Sequence, residues 1–182
     1  MTTFIARAAV LFGGLTGCDL VVVPETSEYV GQPAARASLD VRADSMPSAS
    51  DVRGVELTLD TVALHRPNDD RWVLLAGDEA TASFARAASG AQEQELSDVP
   101  MRMQIYDGIA FGITSVRVET DEGWQQAQVP IDEVELSGAF VVDRDVRFEL
   151  AFDLATAVEG DTSAGFVFDP RVTASLEPMR GF

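Results

Sequence analysis

Apolar and polar residues alternate with a period of two through most of the chain beyond residue 37, which predicts strands with one buried and one wet face. Ser38-Leu39-Asp40-Val41-Arg42 follows this pattern, and Val55, Leu57 and Leu59 take one face while Glu56, Thr58 and Asp60 take the other. The next apolar positions are Val62 and Leu64, an odd step that flips the buried face, so a bulge or break is expected at Asp60-Thr61. Pro67-Asn68-Asp69-Asp70 then supplies turn residues ahead of Trp72-Val73-Leu74-Leu75, which reads as a hairpin. Farther along, Met101, Met103 and Ile105 share a face opposite Arg102, Gln104 and Tyr106, and Asp107-Gly108 reads as a turn. Asp121-Glu122-Gly123 closes a hairpin between the 116–119 segment and the 124–129 segment.

The most regular run is 146–154, where Phe148, Leu150 and Phe152 are expected inward and Arg147, Glu149 and Ala151 outward. Gly165-Phe166-Val167-Phe168 and the 171–176 segment complete the strands. Residues 80–88 break the pattern: their alanine content predicts a short helix ended by Ser89-Gly90. Many short strands separated by turns, with at most one short helix, define an all-β chain, expected as an antiparallel β-sandwich.

The first residues read differently. Arg7 precedes an apolar run, Ala8-Ala9-Val10-Leu11-Phe12-Gly13-Gly14-Leu15, and small residues lead to Cys18. A membrane-spanning helix needs about 20 apolar residues, so this run is too short to span and reads as an export signal. Leu15-Thr16-Gly17-Cys18 resembles the lipobox of bacterial lipoproteins, in which the thiol takes a diacylglycerol and the chain is cut just before the cysteine. The competing reading is a buried cysteine in a small apolar segment. With a lipobox, residues 1–17 are a signal peptide, 18–36 a lipidated N-terminus and flexible tether, and 37–182 a single folded domain. Val21-Val22-Val23 is the one stretch of the tether with the character to pair with a sheet edge. The protein is then exported across the cytoplasmic membrane and lipid-anchored in the cell envelope. Cys18 is the only cysteine, so no intrachain disulfide can staple the domain.

Charge narrows the partners. The chain has 13 basic residues, all of them arginine, against 30 acidic ones, for a net charge of −17. No basic stripe is available to release counterions from a polyanion, so nucleic acid is not an expected partner. An acidic, lysine-free composition fits either a high-salt habitat or a GC-rich genome.

Few residues carry reactive chemistry. His65 is the only histidine, which leaves no second imidazole for a multi-histidine metal site, and it sits beside a turn where a surface role is the plain reading. Asp143 with Asp145, or Glu149 with Asp153, are spaced as acid–base pairs, but close pairs arise by abundance among so many carboxylates, and no catalytic residue is expected. Calcium is the one cofactor the sequence leaves open, at Asn68, Asp69 and Asp70 or at Asp121 and Glu122; ordinary turn chemistry accounts for the same residues. Trp72, Trp124 and Tyr106 are candidates for an aromatic platform that binds sugar or peptide, or are cross-strand packing residues.

Several of these features together resemble one family: the lipobox, Gly54-Val55-Glu56-Leu57-Thr58-Leu59 ahead of the Trp72 strand, the segment from Ile109 to Val118, the strand Phe148-Glu149-Leu150-Ala151-Phe152-Asp153-Leu154, and Phe168-Asp169-Pro170-Arg171-Val172. The chain resembles the DUF4382 (domain of unknown function 4382) family of bacterial and archaeal lipoproteins over about residues 37 to 177. The resemblance implies a transthyretin-like (prealbumin-like) β-sandwich and no established catalytic residues. The expectation is a lipid-anchored envelope protein with a non-catalytic binding or structural role toward a protein, peptide or glycan. The second expectation is a carbohydrate-active or other hydrolytic accessory protein using surface carboxylates.

Overall fold

The computed structural model describes residues 22–23, 34–49, 51–86 and 92–179, and the fold is all-β. Its strands are β1 (Val22–Val23), β2 (Ala34–Ser45), β3 (Val52–Arg66), β4 (Arg71–Ala76), β5 (Ala80–Ala85), β6 (Gln92–Arg102) and β7 (Gln104–Thr120). They continue with β8 (Gly123–Gln126), β9 (Glu133–Val142), β10 (Val146–Asp153), β11 (Val158–Asp161), β12 (Gly165–Phe168) and β13 (Val172–Pro178); one short helix, α1 (Leu154–Ala157), follows β10.

The first sheet runs β1-β4-β3-β7-β8, with β5 also on β3 and β9 also on β7. The second runs β13-β10-β2-β6, and β11 and β12 form a separate pair. β3 holds two neighbours on one side because it bends: its first half pairs with β5 and its second with β4. The expected bulge is where the alternation slips, with Thr61 at φ 37° and a register shift between Asp60 and Ala63. The two larger sheets share one apolar core. Phe111 of β7 meets Phe152 of β10 edge-on at 6.1 Å, and Phe140 of β9 meets Phe148 of β10 at 5.8 Å.

Several expectations are corrected. Ala80–Ala85 is a strand, with Ala82 and Phe84 buried and alternating with exposed neighbours. Alanine's helix preference is worth only tenths of a kcal/mol per residue, so pairing with β3 and burial of Phe84 outweigh it. Residues 87–91, the rest of that segment, lie outside the described residues. Asp107-Gly108 is not a turn but lies inside β7, where the register shifts between Tyr106 and Gly108. A Cβ on Gly108 would sit 3.3 Å from that of His65, a close approach that glycine relieves. Met101, Met103 and Ile105 do not share a face: Met101 and Tyr106 are buried, whereas Met103 and Ile105 are exposed. The chain crosses from β6 in the second sheet to β7 in the first at Met103, and the crossing resets the alternation.

β10 differs most. Phe148, Leu150 and Phe152 face the core as expected, but Glu149 and Ala151 on the other face are 9% and 5% exposed. β10 is interior to its sheet, and Arg42 of the neighbouring β2 covers its outer face, donating to Glu149 at 2.8 Å. Val22–Val23 pairs with β4, the sheet-edge pairing the sequence left open, and β2 begins at Ala34, three residues before the expected domain start, with the Arg36 N–H donating to Asp145 Oδ1 at 2.8 Å. Cys18 and the segment before it, read from the sequence as an export signal, lie outside the described residues, and among those described no helix is long and apolar enough to cross a membrane.

Candidate functional site

Strand order brings together three places with chemistry. The first is a cleft of about 310 Å³ where the edge of the first sheet meets β6. Leu74, Leu75 and Ala76 of β4 form one wall and Leu96, Val99 and Pro100 of β6 the other, with Asp78 and Glu79 of the β4–β5 link at the mouth. Ser97 Oγ donates to the Leu75 carbonyl at 2.8 Å and pins the floor. An apolar slot with a few polar groups at its rim suits a small apolar side chain or ligand segment. The sequence held one signal of it, Leu96 directly after the polar run Gln92-Glu93-Gln94-Glu95, which period-two counting passes over.

The second place is the β3–β4 hairpin end. His65 Nδ1 lies 2.6 Å from Asp107 Oδ1, Nε2 lies 3.0 Å from Asp70 Oδ1, and the ring packs on Trp72 with centroids 5.0 Å apart. Partial burial disfavours the charged ring, but its hydrogen bonds to both carboxylates outweigh it and raise the pKa above 6.5. Among the described residues no nucleophile hydrogen-bonds to this His–carboxylate arrangement, which ties two strands and a turn together through one imidazole ring.

The third is the outer face of the second sheet, which the sequence did not single out. Asp40 is 3% exposed, its Oδ2 accepts from Arg147 Nε at 2.9 Å, and its Oδ1 has no hydrogen-bond partner. Burial and the nearby Glu93 carboxyl push its pKa up to about 7, against the pull of Arg147. Burial raises Glu149 as well, opposed by Arg42. These carboxyls lie on a sheet surface beneath Arg42 and Arg147.

The residues singled out from the sequence are dispersed. Tyr106 is fully buried, Trp72 packs on His65, and Trp124 stands at the opposite end of β7 with the Arg117 guanidinium 5.0 Å from its ring centroid, so no shared platform forms. Asp69 is bound by Arg66 at 2.5 Å, and that hydrogen bond holds its carboxyl below the usual range. Asp70 bonds His65, while Asn68 lies exposed between turn neighbours. Asp121 forms a two-bond pair with Arg53 at 2.7 and 3.0 Å, which lowers its pKa, and the Glu122 N–H donates to Thr120 Oγ1. The calcium candidates are thus tied to cations and turn bonds, and among the described residues no three carboxylate, histidine or cysteine groups converge on one ion position.

The carboxylate pairs do not converge either. Asp143 pairs with Arg144 and Asp145 accepts the Arg36 N–H, while Asp153 accepts from Ser45 and Thr156. Glu149 and Asp153 are four residues apart on one strand, roughly 13 Å at 3.3 Å per residue, beyond the separation glycoside hydrolysis uses. No family model, curated protein or solved structure matches the chain.

Proposed function

We propose that this is a lipid-anchored cell-envelope protein, attached through Cys18, whose β-sandwich domain has a non-catalytic binding role. One observation carries the reading: Val22–Val23 joins the first sheet in parallel with β4, Val22 opposite Trp72, and the lipobox-like Cys18 lies only four positions before that strand in the sequence. Such a connection suits a domain held at a membrane surface. The likeness of its strand motifs to DUF4382 lipoproteins supports the same reading. The apolar cleft between β4 and β6 offers a partner's side chain a place to bind, and the pair Glu149 and Asp153 is engaged by arginine, serine and threonine.

Intact mass of the protein extracted from membranes tests the anchor. The expected species begins at Cys18 and carries diacylglycerol mass, and Cys18→Ala accumulates as an unacylated precursor of the full sequence. An unmodified Cys18, or a different first residue, overturns the reading. A peptide and glycan array probed with the mature protein tests the binding role, with Val99→Arg expected to abolish whatever signal the cleft provides.

A further inference from the structure

The direction of β1 fixes which end of the domain an anchor at Cys18 would hold. β1 runs parallel to β4, and β4 is antiparallel to β3, so β1 begins beside the β3–β4 turn at 67–70. β7 is antiparallel to β3 and to β9, so the start of β7 and the end of β9 lie at this same end. Four residues from Cys18 to Val22 reach at most about 14 Å.

That end carries an apolar patch. Ile105 and Val141 are direct partners across β7 and β9 and are each 51% exposed, and Met103, two residues earlier, is 42% exposed. Ile105 and Val141 are the outward-facing strand positions nearest this end and Met103 lies in the link before β7, while Tyr106, Phe140 and Val142 beside them face the core. Three large apolar side chains in open solvent on a chain of net charge −17 call for a covering surface.

The outward face of β9 shows the direction. Moving toward the anchor end it reads Glu133, Glu135, Ser137, Ala139, Val141, all outward and alternating with buried or half-buried neighbours, so carboxylates give way to small and then apolar residues. Acids at this end have basic partners: Asp69 has Arg66, Asp143 has Arg144, and Asp107 and Asp70 share His65. An acidic protein thereby presents a nearly balanced, partly apolar end on the side where its anchor would emerge.

We infer that the Met103–Ile105–Val141 patch is a lipid-contacting surface, on which the domain rests against the bilayer while Cys18 holds it there. This rests on the anchor proposed above. The shallow depth of three side chains flanked by arginines suits the headgroup boundary, with Ile105 and Val141 held side by side across β7 and β9.

The test uses the full-length protein matured in its membrane and reconstituted into vesicles of phosphatidylethanolamine with a minority of phosphatidylglycerol, some acyl chains brominated. Ile105→Cys, Val141→Cys and Glu133→Cys are each labelled with a polarity-sensitive thiol probe; Cys18, as a thioether, takes up none. Residue 133 is the control, about 26 Å from residue 141 along β9. The expected result is a blue-shifted emission quenched several-fold by bromolipid at 105 and 141, with the 133 probe unchanged. Equal quenching at all three positions, or none at 105 and 141, overturns the lipid contact. Intact mass of the same preparation reads the anchor separately: diacylglycerol mass with unquenched probes defeats the patch alone, and absence of that mass defeats the anchor and the patch that rests on it.

Discussion

The side-chain amide of Gln92 hydrogen-bonds both peptide groups of Ala85: Oε1 accepts from the Ala85 N–H at 2.7 Å and Nε2 donates to the Ala85 carbonyl at 2.8 Å. Gln94 repeats the arrangement one step along, accepting from the Ser83 N–H at 3.2 Å and donating to the Thr81 carbonyl at 2.9 Å. With Ser97 on Leu75, the side chains of β6 stand in for a backbone ladder and join the second sheet to the free edge of β5 and β4 in the first. A strand edge so occupied is not open to another chain.

Replacing Gln92 and Gln94 together by leucine should therefore cost about 1–3 kcal/mol and raise self-association, because both the hydrogen bonds and the edge cover are lost. Urea melts and light scattering read the two effects. Unchanged stability with a monomeric protein would show that the glutamine ladder is incidental.

Glu149→Ala should destabilise by about 1–3 kcal/mol, since it strands Arg42 at a partly exposed site, while Glu149→Gln should cost less by keeping a hydrogen-bond acceptor. The simple one-wet-face reading of this strand places the alanine change near neutral, so the same melt decides between the two. Asp44 also contacts Arg42 at 2.7 Å and shares the load, which keeps the cost below that of a fully buried pair.

Asp40 makes stability fall as pH rises. Its folded pKa of about 7 exceeds the ordinary 3.8, so the folded state holds a proton that the unfolded chain has released, and the contribution present below 3.8 is lost between there and about 7. Asp40→Asn should flatten this part of the stability profile and be more stable than the parent near pH 8. Denaturant melts across the range check it; an unaltered slope would place the titration elsewhere.

His65 acts in the next window. Because its pKa is raised, its stabilisation is complete below 6.5 and fades as pH climbs through the higher folded value. As the only histidine it gives one set of ring resonances, so an NMR titration reads it directly. Asp107→Asn should bring the midpoint down, and an unchanged midpoint would mean the 2.6 Å contact carries no charge in solution.

Phe152→Ala should cost about 3–5 kcal/mol, the range for truncating a buried aromatic, since the ring is fully buried between Phe111 at 6.1 Å and Phe168 at 6.4 Å. Calorimetric or urea melts measure it. A loss below about 1 kcal/mol would mean the core closes over the space.

Period-two alternation by itself determined that this chain is all-β, that the face flips at Asp60-Thr61, and that Phe148, Leu150 and Phe152 point inward, because alternation is a local property of an extended backbone. The sequence also carried the motif at Cys18, though not the end of the domain from which it would emerge. Tertiary structure alone decided what covers the second face of each strand. Glu149 is buried because Arg42, 107 residues earlier, lies on the adjacent strand, and Ala80–Ala85 is extended because β3 offers it a partner. The Met103–Ile105–Val141 patch likewise exists only once β7 and β9 are paired in register. Local periodicity reports the side of a strand that faces the core; whether the other side stays wet depends on long-range partners that no short window contains.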